Sequence, residues 1–521
     1  MKTRFALVIA IAMFPFYVQA AVTLPSMFGD HMVLQRDAPV AIWGNAEPNE
    51  TITISFAEQA ASAKANQDGA WRIELKPLAA SKKPRTLTIE SDQAETKKEL
   101  KNVLVGDVWV GSGQSNMAGR VASYAKNDAT LAALAEKAPF SNIRLMQGGP
   151  KPIWNEATAQ AVTQFSAIHF AFGERLQRDL NVPVGLIVGA VGGTPSGAWI
   201  PPATYASSEK CKSVVAEFAK TYDSDAANRQ YQAKLEAWDK AVAAAKAKGE
   251  KPRGRKPTPP VEPGESNRGK IGGLYERFIQ PVAGYRICGV LWDQGESRTA
   301  VVGVDQHTMM SELMRGWREA WGQGDFPFLF VQKPSGGGCA FSNDDPITRN
   351  GNPFVADLPN IARIGSGEQR FLYVRLMHDN ANAWMVPASD LGSGIHPTNK
   401  WGYGNRAAKV ALSQVYKTGV QAYGPIYRSH KVAGSKVILE FDQVGKGLTT
   451  AHDSKLHGFA LASDDGRWHW AEATIEGDTV VLSSDQVPKP TRIRYAYAQN
   501  RAWANLFNKD RLPALAFEAG E

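Results

Sequence analysis

Residues with strong metal-binding or cross-linking chemistry are scarce in this chain. Three cysteines among 521 residues, Cys211, Cys288 and Cys339, allow at most one disulfide. Cys288 lies in an apolar run, so we expect its side chain to be buried and to act as a small hydrophobic group. Nine scattered histidines and the absence of CxxC and HExxH spacings predict neither a structural nor a catalytic metal, and no cofactor.

Positive charge is not concentrated, although the formal net charge is +8. The one dense basic stretch, Lys246–Lys256, runs into the proline-rich segment Lys251–Pro263 and has no aromatic residue, which favours a solvated linker over a nucleic-acid surface. The glycine run at Lys333–Gly338 lacks the terminal Gly-Lys-Ser/Thr of a phosphate-binding loop. The sequence therefore predicts no nucleic-acid or nucleotide partner.

Long apolar runs are also missing after the N-terminus. The first residues combine a basic start, an apolar run over Phe5–Tyr17 and a small-residue end at Val18–Ala20. This pattern predicts a cleaved signal peptide at residues 1–20, because the apolar run is too short for a membrane-spanning anchor. We therefore expect an exported protein, periplasmic or secreted, without a membrane anchor.

The length exceeds what one hydrophobic core usually supports, so two or three folded domains are expected. Short runs of alternating apolar and polar residues, such as Val40–Trp43 and Thr51–Phe56, predict an N-terminal β module at residues 21–103. Alternation returns in Lys436–Phe441 and predicts a C-terminal β module at 424–521. Between them, residues 104–423 form a third unit, with a helical and proline-rich insertion at about 203–270.

The middle unit contains apolar runs typical of buried parallel strands. A helical stretch around Met309–Trp321 precedes the last of them. Strands that alternate with helical segments predict an α/β fold with a parallel sheet. The runs are Val103–Val110, Val184–Val191, Ile287–Trp292 and Phe326–Val331.

Candidate reactive groups follow these strands, where the loops of an open parallel sheet form ligand sites. Ser115, Gly193, Gln294 and His396 each lie in or after such a position. Ser115 follows a glycine-bracketed turn and begins a predicted helix, which would expose its hydroxyl. A structural turn serine is the alternative for a single glycine-rich turn.

Four sequence blocks carry a more specific signal, and they read Gly113-Gln-Ser-Asn-Met117, Val191-Gly-Gly-Thr-Pro195, Trp292-Asp-Gln-Gly-Glu-Ser297 and Ile395-His-Pro-Thr-Asn-Lys400. They resemble the blocks of sialate O-acetylesterase-like carbohydrate esterases of the SGNH hydrolase superfamily. Residues 27–36, 494–497 and 505–508 extend the resemblance over nearly the whole mature chain. It implies a three-layer αβα SGNH domain and an esterase that removes acetyl groups from sialic acid or another glycan, such as xylan or xyloglucan.

The same resemblance implies a role for each matching residue. Ser115 is similar to the nucleophile and His396 to its general base, which a serine hydroxyl needs at neutral pH. The backbone N–H groups of Ser115 and Gly193, with the side-chain amide of Gln294, correspond to the oxyanion hole. Without the resemblance, Gly193 could simply permit a tight turn and Gln294 could cap a strand.

The chain departs from the family at the residue that orients the histidine. The usual aspartate two residues before His396 is replaced by Gly394, while Asp293 stands where tyrosine is more common. We therefore predict that Asp293 reaches His396 as the third catalytic residue. Asp390 and a backbone carbonyl are the alternatives, and Glu296 is expected to brace its loop as a hydrogen-bond acceptor.

Trp199 could stack on the sugar as a substrate-binding residue, or it could belong to the core. His31 and His169 lie in apolar surroundings and are expected to be structural.

Two other functions stay open from the residues alone. One is a non-catalytic glycan-binding protein that uses the two β modules, and the other is an SGNH lipase or thioesterase.

Overall fold

The computed structural model describes residues 22–93, 97–252, 254, 256–348, 350–499 and 501–520, so the predicted signal peptide lies outside the described residues. The first seven strands are β1 (Val33–Gln35), β2 (Val40–Asn45), β3 (Thr51–Phe56), β4 (Gln59–Lys64), β5 (Ala70–Leu75), β6 (Ser81–Ser91) and β7 (Lys97–Gly113). In β3 every second residue is buried, as the alternation predicts.

β7 joins the N-terminal strands to the central sheet. Its first half pairs antiparallel with β6, and β6 continues through β3 to β4. β1 lies parallel to β7 at Leu104–Gly106, and β2 pairs with β5. The predicted boundary at residue 103 falls inside this strand, and the domain boundaries stay a prediction.

The central strands are β8 (Phe140–Gln147), β9 (Ile153–Ala157), β10 (Val184–Ala190), β11 (Gly289–Asp293), β12 (Phe328–Val331) and β13 (Ala383–Val386). Their order in the sheet is β13-β12-β11-β7-β10-β8-β9, and all pairs are parallel except β8 with β9. The predicted α/β class with a mostly parallel sheet is confirmed.

The helices are α1 (Ser115–Ala118), α2 (Val121–Tyr124), α3 (Ala129–Ala135), α4 (Ala159–Gln164), α5 (Ala167–Leu180), α6 (Pro202–Ser207), α7 (Glu209–Ala219), α8 (Ser224–Ala247), α9 (Gln306–Trp321), α10 (Glu368–Asp379) and α11 (Lys400–Gln414). Trp109 and Leu291 of the sheet share one apolar core with α5 and α11. Val110 and Trp292 share the other core with α9 and α10. Because successive strand residues point to opposite faces, both faces of the sheet are covered by helices.

Local signals explain where the longer helices begin and end. The Asp305 carboxylate accepts a hydrogen bond from the Thr308 N–H at 2.9 Å and caps α9, which ends at Gly322 in the left-handed conformation. In the predicted insertion, Asp223 caps α8 in the same way. None of the residues of α8 is buried, so this helix stands on the surface.

The C-terminal strands are β14 (Ile426–Ala433), β15 (Lys436–Asp442), β16 (Leu448–Thr450), β17 (Phe459–Ala462), β18 (His469–Trp470), β19 (Glu472–Glu476), β20 (Thr479–Ser483), β21 (Arg492–Tyr495), β22 (Leu506–Asn508) and β23 (Phe517–Gly520). They form two four-stranded sheets, β14-β15-β20-β19 and β18-β17-β21-β23, and the pair β16-β22. Leu439 and Leu482 of the first sheet pack with Leu461 and Ile493 of the second in a separate core. This part of the chain is all-β, as predicted.

None of the described helices is both long and apolar enough to cross a membrane.

Candidate active site

The carboxyl ends of three neighbouring strands bring the predicted site residues to one edge of the sheet. In the register of these strands, Gly113 of β7 lies beside Ala190 of β10 and beside Asp293 of β11. The segments that follow them carry Ser115, Gly193 and Gln294. The strand ends therefore position the first three sequence blocks next to one another.

The turn before Ser115 depends on the absence of a side chain at Gly113. Its φ is +128°, and a Cβ atom at this position would lie 2.2 Å from the carbonyl oxygen of Asp293. The Gln114 N–H donates to that same oxygen at 2.8 Å. This close approach of two backbones turns the chain sharply, and Ser115 then begins α1 with its side chain partly exposed.

Ser115 and His396 form a hydrogen-bonded pair. The distance from His396 Nε2 to Ser115 Oγ is 2.8 Å, although 281 positions separate the two residues in the sequence. His396 lies in the exposed loop between β13 and α11. This geometry allows the imidazole to accept the serine proton, which is the first requirement for a serine nucleophile.

Two backbone N–H groups beside this pair are free. Gly193 adopts φ +68°, and a Cβ atom on the preceding residue, Gly192, would lie 3.7 Å from the Cβ of Ser115. Among the residues that the structure describes, neither the Ser115 N–H nor the Gly193 N–H donates to a protein acceptor. Both donors are therefore available to a bound group.

The Gln294 side chain is not available, which differs from the sequence expectation. Its amide nitrogen donates to the carbonyl oxygens of Thr194 at 3.3 Å and Arg298 at 3.0 Å, and its amide oxygen accepts from Gln306 Nε2 at 3.1 Å. The residue is fully buried. Since both amide hydrogens are used, Gln294 braces the loop that follows Gly193 instead of facing the serine.

Asp293 does not lie against His396, so the structure contradicts the predicted relocation of the orienting carboxylate. Its Oδ1 atom lies 2.5 Å from the Nζ atom of Lys333, and both side chains have no exposed surface. Glu296 Oε1 is the second anion on this ammonium, at 3.0 Å. Burial opposes a charged Lys333, but the two carboxylates outweigh it and raise the lysine pKa.

The remaining carboxylate candidate is also occupied. Both oxygens of Asp390 accept from Arg406, at 3.1 and 2.8 Å, and this ion pair is buried. Within the described part of the chain, His396 Nδ1 has no hydrogen-bond acceptor. Glu296 accepts from Gln114 Nε2 at 2.7 Å, which is the bracing role expected for it.

Sequence reasoning missed two buried residues that join the serine turn to the histidine loop. Asn116 Nδ2 donates to the carbonyl oxygen of Ile395 at 3.2 Å, and Asn116 Oδ1 accepts from Lys400 Nζ at 2.5 Å. Burial lowers the pKa of Lys400 to about 7. Both residues stand in the sequence blocks, but no sequence signal indicated that their side chains meet.

Trp199 belongs to the core, so its predicted role in substrate binding is wrong. The side chain is fully buried, its Nε1 donates to Thr194 Oγ1 at 3.0 Å, and its ring packs edge-on against Trp292. A sugar cannot reach a ring without exposed surface. His169 is buried as well, and its Nε2 contacts the carbonyl oxygen of Trp109 at 3.2 Å.

The described residues contain no group of three or more His, Cys, Asp or Glu side chains that could hold a metal ion. Cys211, Cys288 and Cys339 are all free thiols. Burial raises the pKa of each of these thiols, so none is an activated nucleophile.

Known carbohydrate esterases resemble this chain in sequence and in fold. Residues 105–245 match the family described as carbohydrate esterase, sialic acid-specific acetylesterase. The sialate O-acetylesterases of Pongo abelii and Homo sapiens are each 25% identical over 518 residues, which is 91% of this chain and 87% of each relative. A carbohydrate acetylesterase from Xanthomonas citri has a solved structure with a TM-score of 0.72 and 25% identity, over 96% of this chain and 99% of that one.

The chain is therefore a carboxylic ester hydrolase. More specifically, the resemblance to sialate O-acetylesterase-like carbohydrate esterases is confirmed, since a family match at the serine strand and relatives over most of the chain agree on it.

Proposed function

We propose that this protein is a serine-dependent carbohydrate O-acetylesterase that works through an acetyl-enzyme. The observation that carries the proposal is the 2.8 Å contact between His396 Nε2 and Ser115 Oγ at the carboxyl edge of the sheet. The two free N–H groups of Ser115 and Gly193 support it, because they can receive the negative charge that develops on an ester oxygen.

In the first half of the reaction, Ser115 Oγ attacks the acetyl carbonyl carbon while His396 Nε2 accepts the hydroxyl proton. The tetrahedral oxyanion is stabilised by the N–H groups of Ser115 and Gly193. The bond from the carbonyl carbon to the sugar oxygen then breaks, and His396 returns the proton to that oxygen. In the second half, His396 deprotonates a water molecule that attacks the acetyl carbonyl carbon. The bond from that carbon to Ser115 Oγ then breaks, His396 returns the proton to Ser115 Oγ, and acetate leaves.

No carboxylate holds the imidazole in this mechanism. The loop itself is held instead, because Asn116 binds the carbonyl oxygen of Ile395, the residue that precedes His396. Lys400 in turn fixes Asn116. A Ser-His dyad of this kind needs a rigid loop, since nothing else sets the direction of the ring.

The nucleophile is tested by comparing two serines of the same turn. Ser115→Ala should lower ester hydrolysis by about 10³-fold or more with unchanged folding, because the acetyl-enzyme can no longer form. Ser112 is the matched control, since it is fully buried and its hydroxyl donates to the carbonyl oxygen of Gly189 at 2.7 Å. Acetate release is measured on both variants; if only Ser112→Ala abolished it, Ser115 would not be the nucleophile.

The substrate follows from the relatives, whose names specify sialate or carbohydrate acetyl esters. We propose an acetylated sialic acid or another acetylated glycan, of the xylan or xyloglucan type. Acetate release from a panel of these glycans tests the choice. A non-catalytic glycan-binding protein would not need the Ser115–His396 pair, and long-chain acyl esters in the same panel test the lipase or thioesterase alternative.

Two further proposals complete this assignment. The central domain is an SGNH hydrolase domain with three layers, because helices cover both faces of its parallel sheet. The protein is exported to the periplasm or secreted, because residues 1–20 have the pattern of a cleaved signal peptide. N-terminal sequencing of the mature protein tests this second proposal.

A further inference from the structure

A groove of about 810 Å³ opens next to the histidine loop. Its walls come from five segments of the chain: the loop after β11, the loop after β12, the start of α10, the loop before His396, and the C-terminal all-β part. We call it the glycan groove, and its walls include Arg298, Ser335, Val355, Gln369, Ile395 and Gln499. Cavities of ~300–1,000 Å³ are typical for ligands much larger than an acetyl group.

Hydrogen bonds hold the C-terminal wall of the glycan groove against the catalytic domain. Arg370 is buried, and its guanidinium donates to the carbonyl oxygens of Gly336 and Gln499, both at 2.8 Å. The Arg501 N–H donates to the carbonyl oxygen of Gly337 at 2.7 Å, and the Val355 N–H donates to that of Ala502 at 3.1 Å. These bonds fix the C-terminal loop against the catalytic domain, so the groove is formed before any ligand binds.

The chemistry of the walls suits a sugar chain. The side chains of Arg298, Gln369 and Gln499 make no hydrogen bond or ion pair with another described residue, so their donors and acceptors are free for hydroxyl groups. Ile395 and Val355 add apolar surface, with exposed fractions of 65% and 43%. Free amides next to exposed aliphatic side chains match the hydroxyl groups and the C–H faces of a pyranose ring.

We propose that the glycan groove binds the oligosaccharide that extends from the acetylated sugar, and that the C-terminal all-β part selects the substrate through Gln499 and Ala502. This inference rests on the proposed function. Ile395 connects the two sites, because it lines the groove and immediately precedes the catalytic histidine. The substrate class is therefore an acetylated oligosaccharide or polysaccharide, and a free monosaccharide would leave the groove empty.

The first test is chain length. Acetylated xylo-oligosaccharides and acetylated sialyl-oligosaccharides of one to four residues are compared with 4-nitrophenyl acetate as substrates. In the wild-type enzyme, kcat/KM in one of the two series should rise about tenfold or more from one residue to four, a gain of about 1.4 kcal/mol. A flat dependence in both series would overturn the proposal.

The second test fills the groove. Ala502→Trp should remove the gain with chain length and leave hydrolysis of 4-nitrophenyl acetate within about twofold of wild type, because a small ester does not need the groove. Ala433→Trp is the control, since Ala433 is exposed at the end of β14 and does not line the groove. Gln499→Ala is the second variant, because this side chain is exposed and makes no hydrogen bond with another described residue.

A loss on both substrates by a folded Ala502→Trp enzyme, or on neither, would contradict the role of the groove. Failure of the proposed mechanism gives a different result, because Ser115→Ala would then still hydrolyse 4-nitrophenyl acetate. Calorimetric titration of the Ser115→Ala variant with the deacetylated tetrasaccharides tests the groove without catalysis. Binding that Ala502→Trp abolishes supports the proposal, and binding unchanged by Ala502→Trp refutes it.

Discussion

The buried ion pair between Asp293 and Lys333 predicts that Asp293→Asn lowers the free energy of unfolding. The substitution keeps the shape of the side chain but removes its charge. Among the described residues, Glu296 at 3.0 Å is then the one anion in an ion pair with the buried Lys333 ammonium. Removing one partner of a buried pair typically costs about 3–5 kcal/mol. Because Glu296 compensates in part, we expect a loss at the lower end, about 3 kcal/mol.

Urea unfolding followed by tryptophan fluorescence measures this loss. Asp325→Asn is the matched control, since Asp325 is 65% exposed and its distance to Arg318 is 3.9 Å. A pair whose carboxylate is mostly exposed to solvent contributes at most about 1 kcal/mol. Adding Lys333→Met and Glu296→Gln to Asp293→Asn should recover part of the stability, because all three charges of this cluster are then removed.

The opposite result would restore the prediction made from the sequence. If Asp293 oriented His396, then Asp293→Asn would lower kcat and leave the free energy of unfolding nearly unchanged, because an amide cannot stabilise an imidazolium ion. A variant that is as stable as Asp325→Asn but catalytically poor would therefore refute the ion-pair assignment.

Two further predictions concern buried side chains. Asn116→Ala removes the hydrogen bond to Ile395 and should lower kcat about tenfold to a hundredfold with KM little changed. Steady-state kinetics and the rate of Ser115 labelling by a fluorophosphonate check this prediction. A kcat within twofold of wild type would contradict it. Burial lowers the pKa of His169 to about 4 from an ordinary 6.5, so only the unfolded chain takes up this proton and stability should fall by about 1.4 kcal/mol per pH unit as the pH drops from 6.5 to 4. His169→Gln should flatten that dependence in unfolding experiments, and equal slopes would be evidence against it.

The strands that are buried on both faces could be predicted, because the sequence of such a strand is a continuous run of apolar residues. β7 contains one predicted run, and β10, β11 and β12 overlap the other three. β13 was not predicted, since its four residues, Ala383–Val386, give too short a pattern. β8 was missed because Asn142 and Arg144 interrupt its apolar residues, and the Arg144 side chain is buried through hydrogen bonds that no local pattern reveals.

The same distinction holds at the site. Ser115 and His396 stand in sequence blocks at predicted strand ends, so their meeting could be expected. The position of Asp293 was also expected, but its partner was not, because Lys333 lies just after β12, 40 positions later. The interactions of Gln294 and Trp199 were likewise decided by tertiary neighbours. Sequence reasoning located the loops, while the direction of each polar side chain depended on packing.

β7 imposes a limit on how this enzyme could be shortened. Its residues from Val103 to Val105 are buried against β1 and β6, and eight residues further on the same strand ends at the turn that carries the nucleophile. An enzyme trimmed to start at residue 104 would leave the apolar residues 104–106 of β7 without their partner strand β1, and unpaired strand segments promote edge-to-edge association with other copies. The smallest soluble form of this catalyst therefore includes the N-terminal strands that shield β7, even though none of them contacts the serine.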